Sequence, residues 1–358
     1  MQPDYLLRCS HVLSQLEPLG ADAFLATDLT NVRYLSGFSG SNAALLISPA
    51  GSTLITDGRY RDQAAEQSPQ VETHINRNCL QAGMQLAEAG GITALAVESE
   101  HLSLKQYRTI TAQNPAMTFV ESHGLVEQQR RRKDDYEIAQ VTAACDVIST
   151  VVTELMSEIR VGMTERQIAA SLEHRIMDSG AERPAFDSIV AAGSNSAVPH
   201  HEPTDRPLEV GDWLKIDAGA RVAGYCSDMT RTFVVGAEPT EAQQDLHATV
   251  SAAAQAARAK VAPEVSARVP DSTARAALGK DVEYFTHGLG HGLGLQIHEA
   301  PYLGSRSADT IVVGDILTIE PGLYMPDYGG VRIEDTLLVT ETGSRCLTTA
   351  TRELVRLG

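Results

Sequence analysis

Two segments of the chain carry the same pattern of acids, glycines and apolar residues. The first reads GDWLKIDAG at 211–219 and the second GDILTIEPG at 314–322, so equivalent residues lie 103 positions apart. Each copy is followed by an apolar run with its own acid, namely YCSDMTRTFVV and VRIEDTLLV. The chain therefore offers four carboxylates on a doubled strand–turn–strand unit: Asp217, Asp228, Glu320 and Glu334. This arrangement is typical of one binding site assembled from two related halves.

Strand periodicity predicts which side chains face that site. Residues two apart on a strand share a face, so Asp217 is paired with Lys215, and Glu334 with Arg332. Four buried like charges in one cleft are costly unless protons, basic partners or metal ions neutralise them. Arg332 is the one obvious internal cation of this pattern, so a pair of divalent metal ions is predicted.

The segment HGLGHGLGLQIHEAP supplies nitrogen ligands. It contains His287, His291 and His298 within a dozen residues, on glycines that let the backbone come close to a site. The alternating glycines disfavour a helix, so this is not the helical HExxH zinc motif, and the glycine spacing does not satisfy GxGxxG either. One histidine with four carboxylates forms an oxygen-rich site, which favours Mn²⁺ or Mg²⁺ over structural zinc and leaves Zn²⁺ and Co²⁺ as alternatives.

A histidine–glutamate pair is also repeated in the two halves. The pair His201-Glu202 precedes the first copy, and His298-Glu299 precedes the second. If a pseudo-two-fold axis relates the halves, these two histidines face each other across the metals. Metals that activate a water, flanked by histidines that hold a carbonyl and a leaving amine, predict a hydrolase.

The elements that must position these residues fall into two predicted domains. Short strands and helices alternate over 1–126, which predicts a small α/β domain. The charged segment EQQRRRKDD at 127–135 is the predicted linker. From 136 to 358, helix–helix–strands occur twice with matching hairpins, which predicts a pseudo-symmetric α+β domain. Its second helix is predicted to begin at Thr164, because Gln167 completes a capping box.

Composition excludes several classes of partner. The chain has 358 residues and a formal charge of −17, which argues against nucleic acid and anionic membranes as partners. No long uncharged apolar run indicates a membrane span, and the N-terminal residues lack the features of a secretory signal. The five scattered cysteines are odd in number and form no CxxC pair. A cytoplasmic protein without a disulfide framework is therefore expected.

These residues together resemble a known family. HGLGHGLGLQIHE, with Asp217, Asp228, Glu320 and VRIED, is similar to the Xaa-Pro metallopeptidases: aminopeptidase P, prolidase and, more distantly, methionine aminopeptidase. The resemblance implies an α+β pita-bread catalytic domain. The N-terminal NVRYLSGFSGSNAALLI and ITDGRYRDQA resemble the small creatinase-like α/β domain that precedes it, especially in the aminopeptidase P branch.

The resemblance also implies roles for individual residues. Glu320 would be the general base toward the attacking water, His298 would contact the scissile carbonyl, and His200 would handle the proline nitrogen or the transition state. His287 and Arg332 would contribute to substrate binding. Where other members have Tyr or Gly after the first histidine this chain has His201, so which of the two faces the site is left open. The five implied ligands of the two divalent ions are Asp217, Asp228, His291, Glu320 and Glu334, with Asp228 and Glu334 bridging.

The predicted function is an Xaa-Pro aminopeptidase that removes the N-terminal residue from peptides with proline at position two. Mn²⁺ is the expected metal, with Zn²⁺ or Co²⁺ as alternatives, and the resemblance suggests a homodimer. The first alternative is an Xaa-Pro dipeptidase, in which a cation must meet the free carboxylate of the substrate. A metal-free creatinase and a non-catalytic binding module on the same fold are more distant alternatives, because no ligand is missing.

Overall fold

The computed structural model describes residues 3–358, which form two compact units divided after Arg130. The first two residues of the predicted N-terminal domain lie outside the described residues. The division falls within the predicted linker, 127–135. That segment contains the end of one helix and the start of the next, with a short break at 132–134.

The first unit is built on one mixed six-stranded sheet. Its strand order is β4-β3-β2-β1-β5-β6, in which β1, β2 and β3 are antiparallel neighbours and the remaining pairs are parallel. The strands are β1 (Ala23–Ala26), β2 (Ala43–Ser48), β3 (Gly51–Thr56), β4 (Glu72–Ile75), β5 (Ala94–Glu98) and β6 (Thr118–Ser122). The helices are α1 (Tyr5–Ser14), α2 (Leu16–Leu19), α3 (Leu29–Ser36), α4 (Arg61–Gln67), α5 (Cys79–Ala89), α6 (Leu104–Gln113) and α7 (Leu125–Arg131).

The second unit contains four long helices and several small sheets. The helices are α8 (Asp135–Met156), α9 (Glu165–Asp178), α10 (Glu241–Arg258) and α11 (Arg268–Leu278). The strands of its first half are β7 (Arg183–Pro184), β8 (Ile189–Ala192), β9 (Trp213–Ala218), β10 (Ala220–Val222), β11 (Tyr225–Cys226) and β12 (Met229–Val235). The remaining strands are β13 (Gly290–Gly292), β14 (Glu299–Leu303), β15 (Ile316–Ile319), β16 (Gly322–Met325), β17 (Gly329–Arg332), β18 (Asp335–Thr340), β19 (Gly343–Cys346) and β20 (Arg356–Leu357).

The sequence repeat corresponds to two equivalent antiparallel strand pairs. β9 pairs with β12 in the sheet β20-β12-β9-β8, and β15 pairs with β18 in the sheet β14-β13-β15-β18-β19. The chain between the paired strands differs in the two halves. The short strands β10 and β11 fill the first gap, whereas the hairpin β16–β17 fills the second.

One predicted strand is interrupted. The run VRIEDTLLV was expected to be continuous, but β17 ends at Arg332, β18 begins at Asp335, and Glu334 lies in the break. Polar contacts with β12 cause the interruption: the Glu334 amide donates to the Thr230 carbonyl (3.1 Å) and the Arg332 amide to Thr232 Oγ1 (3.2 Å). The break therefore holds Glu334 against the strand of the other half.

Helix α8 forms the largest apolar support of the first half. Among residues 3–358 it is the one helix long and apolar enough to meet the criteria for a membrane span. Its apolar residues are instead buried in the core of the unit, beside α9 and the β8–β9–β12 sheet. The predicted capping box is present at the start of α9: Thr164 N donates to Gln167 Oε1 (2.9 Å), and Gln167 N to Thr164 Oγ1 (3.2 Å).

Directly after the break, the Asp335 carboxylate forms ion pairs with three arginines. Its buried carboxylate accepts from Arg231 Nη2 (2.9 Å), from Arg352 Nε (2.7 Å) and from Arg258. Burial alone would raise the pKa of Asp335, but these three cations outweigh it and lower the pKa to about 2. Arg231 also donates to the Glu334 carbonyl at 2.5 Å, so the cluster fixes the backbone beside Glu334.

Replacing Asp335 with Asn should lower the free energy of unfolding by about 3–5 kcal/mol at neutral pH, because three guanidinium groups lose a buried counter-charge. Since the folded-state pKa is depressed, this stabilisation is complete above the unfolded pKa near 4 and is lost as the pH falls toward 2. The difference between wild type and Asp335→Asn in urea titrations should therefore shrink over that interval. Asp245→Asn, at an exposed acid on α10, is the matched control; an equal loss there would contradict the assignment.

Candidate metal centre and active site

The strand pairs bring the five sequence-predicted metal ligands together. Asp217 lies near the end of β9, and Asp228 immediately precedes β12. Glu320 comes directly after β15, and His291 is the middle residue of β13. With Glu334 in the break before β18, all five line one cavity of about 830 Å³, a volume within the usual range for small-molecule sites.

The ligand atoms lie within coordination reach of a shared centre. His291 Nε2 is 3.6 Å from Asp228 Oδ2 and 3.5 Å from Glu320 Oε1. Asp228, His291 and Glu334 each place one ligand atom within 4.8 Å of the others. Asp217 lies on β9, in the same half of the domain as Asp228, and is held through Oδ2 by Arg332.

The backbone selects the tautomer of His291. Its Nδ1 lies 3.0 Å from the Gly292 carbonyl, which can only accept, so Nδ1 carries the proton. Burial, with a smaller contribution from His298, lowers the pKa of His291 to about 4, so the ring is neutral near pH 7. Nε2 is then left with its lone pair directed toward Asp228 and Glu320, as a metal ligand requires.

The electrostatics of the acids fit a bound cation. Burial raises the pKa of Asp228 and of Glu334 well above their ordinary values, and the surrounding carboxylates raise both further. Burial likewise raises the pKa of Glu320 to about 8. Asp217 Oδ1 is buried with no hydrogen-bond partner in the described chain. Clustered, buried and partly unpaired carboxylate oxygens around one neutral imidazole nitrogen are a donor set suited to divalent metal ions.

Arg332 connects the acids to a histidine. Its Nη1 donates to the Tyr324 hydroxyl (2.7 Å), which lies 2.8 Å from His287 Nε2. His287 Nδ1 lies 2.8 Å from the Gly288 carbonyl and so carries the proton, which leaves Nε2 to accept from Tyr324. Burial lowers the pKa of His287 to about 4, with Arg332 contributing, which keeps the ring neutral. Arg332 and His287 therefore form one relay with Tyr324 at the cavity wall.

The structure separates the two neighbouring histidines that the sequence left open. His200 is exposed within the cavity lining, whereas His201 Nε2 forms a 2.8 Å hydrogen bond with the buried carboxylate of Glu165. His298 also lines the cavity, and its ring stacks edge-on against His291 with centroids 4.3 Å apart. His201 lines the cavity as well, with its Nε2 bonded to Glu165, so the expected facing of His201 and His298 stays a prediction. His200 and His298 also line the cavity.

Three further residues were not assigned a role from sequence. Tyr324 bridges Arg332 and His287, and Lys215 is fully buried beneath the cavity with its amine on backbone carbonyls. Burial lowers the pKa of Lys215 to about 6, with Arg332 contributing. Arg306 is an exposed cation on the cavity lining. Strand periodicity placed Lys215 on the same face as Asp217, and this pattern could have identified the lysine as part of the site. No sequence pattern distinguished Tyr324 or Arg306 from ordinary loop and strand residues.

Comparison with known families places the chain in a class. Residues 139–341 match Metallopeptidase family M24, and residues 8–132 match the Creatinase/Prolidase N-terminal domain. The chain belongs to metallopeptidase family M24, with a creatinase-type domain before the catalytic one. The resemblance to the Xaa-Pro metallopeptidases and their pita-bread fold, predicted from the sequence, is thereby confirmed.

Individual relatives extend over nearly the whole chain. The Xaa-Pro dipeptidase of Pyrococcus horikoshii is 35% identical over 96% of this chain and 97% of that protein. The structure of the Xaa-Pro dipeptidase from Bacillus anthracis superposes with a TM-score of 0.93 at 33% identity, covering 99% of this chain and 100% of the other. The X-Pro aminopeptidase from Thermotoga maritima superposes with a TM-score of 0.89 at 34% identity, covering 96% and 99%.

A metal held by these ligands should stabilise the fold measurably. A ligand that binds only the native state at a hundred times its Kd stabilises it by about 2.7 kcal/mol, so Mn²⁺ added to EDTA-treated protein should raise the unfolding midpoint. Glu334→Gln removes a ligand charge and should abolish most of this shift in calorimetry. Glu341→Gln, at an exposed acid after β18, should keep the full shift; an undiminished shift in Glu334→Gln would place the metal elsewhere.

Proposed function

We propose that this chain is a metal-dependent Xaa-Pro dipeptidase, which hydrolyses the bond before a C-terminal proline. The observation that carries the proposal is a free cation, Arg306, on the lining of a cavity that also holds the five ligands. The names of its relatives from Pyrococcus and Bacillus agree with this substrate class. The sequence had favoured an aminopeptidase acting on longer peptides and held the dipeptidase as the alternative.

Three arginines of the described chain line the cavity, and two of them are already bound by other residues. Arg332 is engaged with Asp217, Tyr324 and Thr230. Arg275 pairs with Asp271 and also donates to two backbone carbonyls. Arg306 forms no ion pair with an acid among residues 3–358, so its guanidinium is available to a substrate carboxylate, which it matches as a bidentate partner.

The residues of the chain divide the chemistry between them. When bound, two divalent cations held by the five ligands would lower the pKa of a water and polarise the scissile carbonyl. Glu320, whose carboxylate lines the cavity beside His291, takes the proton from the attacking water as general base. His298, kept neutral because burial and His200 lower its pKa, donates a hydrogen bond to the developing oxyanion.

The leaving group requires a proton, because the proline nitrogen departs from a tertiary amide. His200 lies exposed in the cavity and is the group we assign to this nitrogen. Arg332 holds Asp217 in place, and through Tyr324 it orients His287, which contributes to substrate binding.

The oxygen-rich donor set favours Mn²⁺, with Zn²⁺ and Co²⁺ as alternatives. A homodimer is part of the proposal, and light scattering on the metal-loaded protein tests it.

The second candidate is the aminopeptidase predicted from the sequence. It is supported by the similarity to the X-Pro aminopeptidase from Thermotoga maritima. The two functions differ in the C-terminal side of the substrate proline, which ends in a free carboxylate in one case and continues into a further residue in the other. Turnover of Ala-Pro against Ala-Pro-Gly by the Mn²⁺-loaded protein separates them, and a preference for the tripeptide would overturn the dipeptidase.

Glu320→Gln should lower kcat for Ala-Pro by about 100- to 10,000-fold, since a general base is lost. Metal content is measured in parallel by elemental analysis, because Glu320 is also a proposed ligand. Glu341→Gln, an exposed acid outside the cavity, provides the control. Turnover near the wild-type rate in Glu320→Gln would remove Glu320 from the reaction.

Arg306→Ala should raise KM for Ala-Pro by about 10- to 100-fold, the range expected for losing a charge-assisted hydrogen bond to a carboxylate. The amide Ala-Pro-NH₂ lacks that carboxylate, so its kinetics should hardly change. Arg345→Ala, at an exposed arginine on β19, is the matched control. Equal losses for the acid and the amide would mean that Arg306 does not recognise the carboxylate.

A further inference from the structure

The loop that carries His200 is fixed from two sides by buried ionisable side chains. This loop, residues 193–206 and hereafter the His200 loop, joins β8 to the strand pair of the first half. Its backbone passes from the cavity wall at Pro199 to the first turn of α9 near Thr204. His200 itself lies on the cavity and has no hydrogen bond to another of residues 3–358, so its position depends on the residues on either side.

On one side, Glu165 acts as a single acceptor for the ends of the loop. Its carboxylate is fully buried at the first position of α9. Oε1 accepts from the amide of Ala192 (2.7 Å) and from Asn195 Nδ2 (3.0 Å). Oε2 accepts from Thr204 Oγ1 (2.6 Å) and the Thr204 amide (2.9 Å), and it pairs with His201 Nε2 (2.8 Å). One carboxylate thus binds the loop before and after His200.

The charge of Glu165 is maintained despite its burial. Burial raises the pKa of Glu165, but the hydrogen bonds from Thr204, His201, Asn195 and Ala192 outweigh it and lower the pKa overall. The N-terminus of α9 adds a favourable dipole for an anion at this position. Glu165 is therefore an ionised acceptor at neutral pH, which is the form that binds several donors strongly.

On the other side, Lys215 is the complementary donor. Its amine is fully buried and donates to the carbonyls of Val198 (2.7 Å), Ser196 (3.1 Å) and Pro199 (3.3 Å). Arg332 Nη1 reaches the same Pro199 carbonyl at 3.3 Å. The residue before His200 is thus held by two basic side chains, and the residue after it by an anion.

We propose that Glu165, through its hydrogen bond with His201, is a positioning residue for the reaction, and that Lys215 completes the same restraint from below. The pair fixes the direction in which His200 enters the cavity, without either residue touching the substrate. This inference rests on the role proposed above for His200 at the leaving nitrogen. It also assigns His201 a function that differs from that of its neighbour.

The test is a double-mutant cycle on the Mn²⁺-loaded protein with Ala-Pro as substrate. His201→Leu should lower kcat by about 10- to 100-fold, the cost expected when a reacting group is displaced by about 1 Å. KM and metal content should stay near the wild-type values, because His201 is not one of the five proposed ligands and its Nε2 is bonded to Glu165. His201→Gln retains an N–H donor at a similar reach and should recover most of the lost kcat.

The decisive measurement is made in the His200→Ala background. If His201 acts only through His200, His200→Ala/His201→Leu should be no slower than His200→Ala alone. If the two losses multiply, the positioning role is overturned while the role of His200 stands. If His200→Ala alone keeps full turnover, the role proposed for His200 fails, and the positioning inference fails with it.

Two further variants guard against a loss of folding. His174→Leu makes the same substitution at an exposed site on α9 and should leave kcat and the circular dichroism spectrum unchanged. If His201→Leu does not fold, Glu165→Gln replaces it in the cycle, since it keeps the shape of the side chain and exchanges one acceptor oxygen for an amide. Its loss of kcat should likewise vanish in the His200→Ala background, and a loss that persists there would overturn the inference.

Discussion

The second unit is organised by the cost of placing four carboxylates in one buried cleft. Each of these acids would be far better hydrated in water, and together they repel one another. The chain neutralises part of this charge with Arg332 and leaves the remaining oxygens directed at a common point. Divalent ions bound at that point would neutralise the remaining charge. The neutral tautomer of His291 and the orphaned oxygen of Asp217 have the same explanation, because both are donors prepared for a cation.

The halves of the domain are joined at the ligands. Thr230 Oγ1, on the strand of the first half, donates to Glu334 Oε2 at 2.6 Å, and Thr336 Oγ1, from the second half, donates to the Asp228 carbonyl at 2.8 Å. Arg231 crosses in the same direction to Asp335. These bonds lie close to the acids. The same hydrogen bonds therefore position the acids and hold the two halves together. Outside this layer the His200 loop is held by the carboxylate of Glu165 and the amine of Lys215, so a second set of buried polar groups surrounds the first.

The chemistry of the centre was predictable from sequence because it depends on residue type and period. The repeat identified Asp217 and Glu320, and strand alternation predicted the face of Asp217. The glycine-rich segment offered three histidines, of which the family resemblance implied His291. What could not be predicted depends on contacts between residues that are distant along the chain. The break at Glu334 exists because β12 supplies partners from about a hundred positions upstream. Similarly, the hydrogen bond that distinguishes His201 from His200 is made by Glu165, whose position on a helix N-terminus gives no sequence signal for a loop 36 residues away.

The substitution of the acid within the repeat, Asp217 against Glu320, bears on how freely the halves can be exchanged. The longer glutamate side chain comes after its strand and reaches toward His291, whereas the aspartate stays within its strand beside Arg332. A dimer of two identical halves would carry the same acid in both halves. It would also carry the histidine-bearing segment either twice or not at all. The single chain has therefore lost the interchangeability of its duplicated parts, because its two halves differ by one methylene group in this acid and by the histidine-bearing segment.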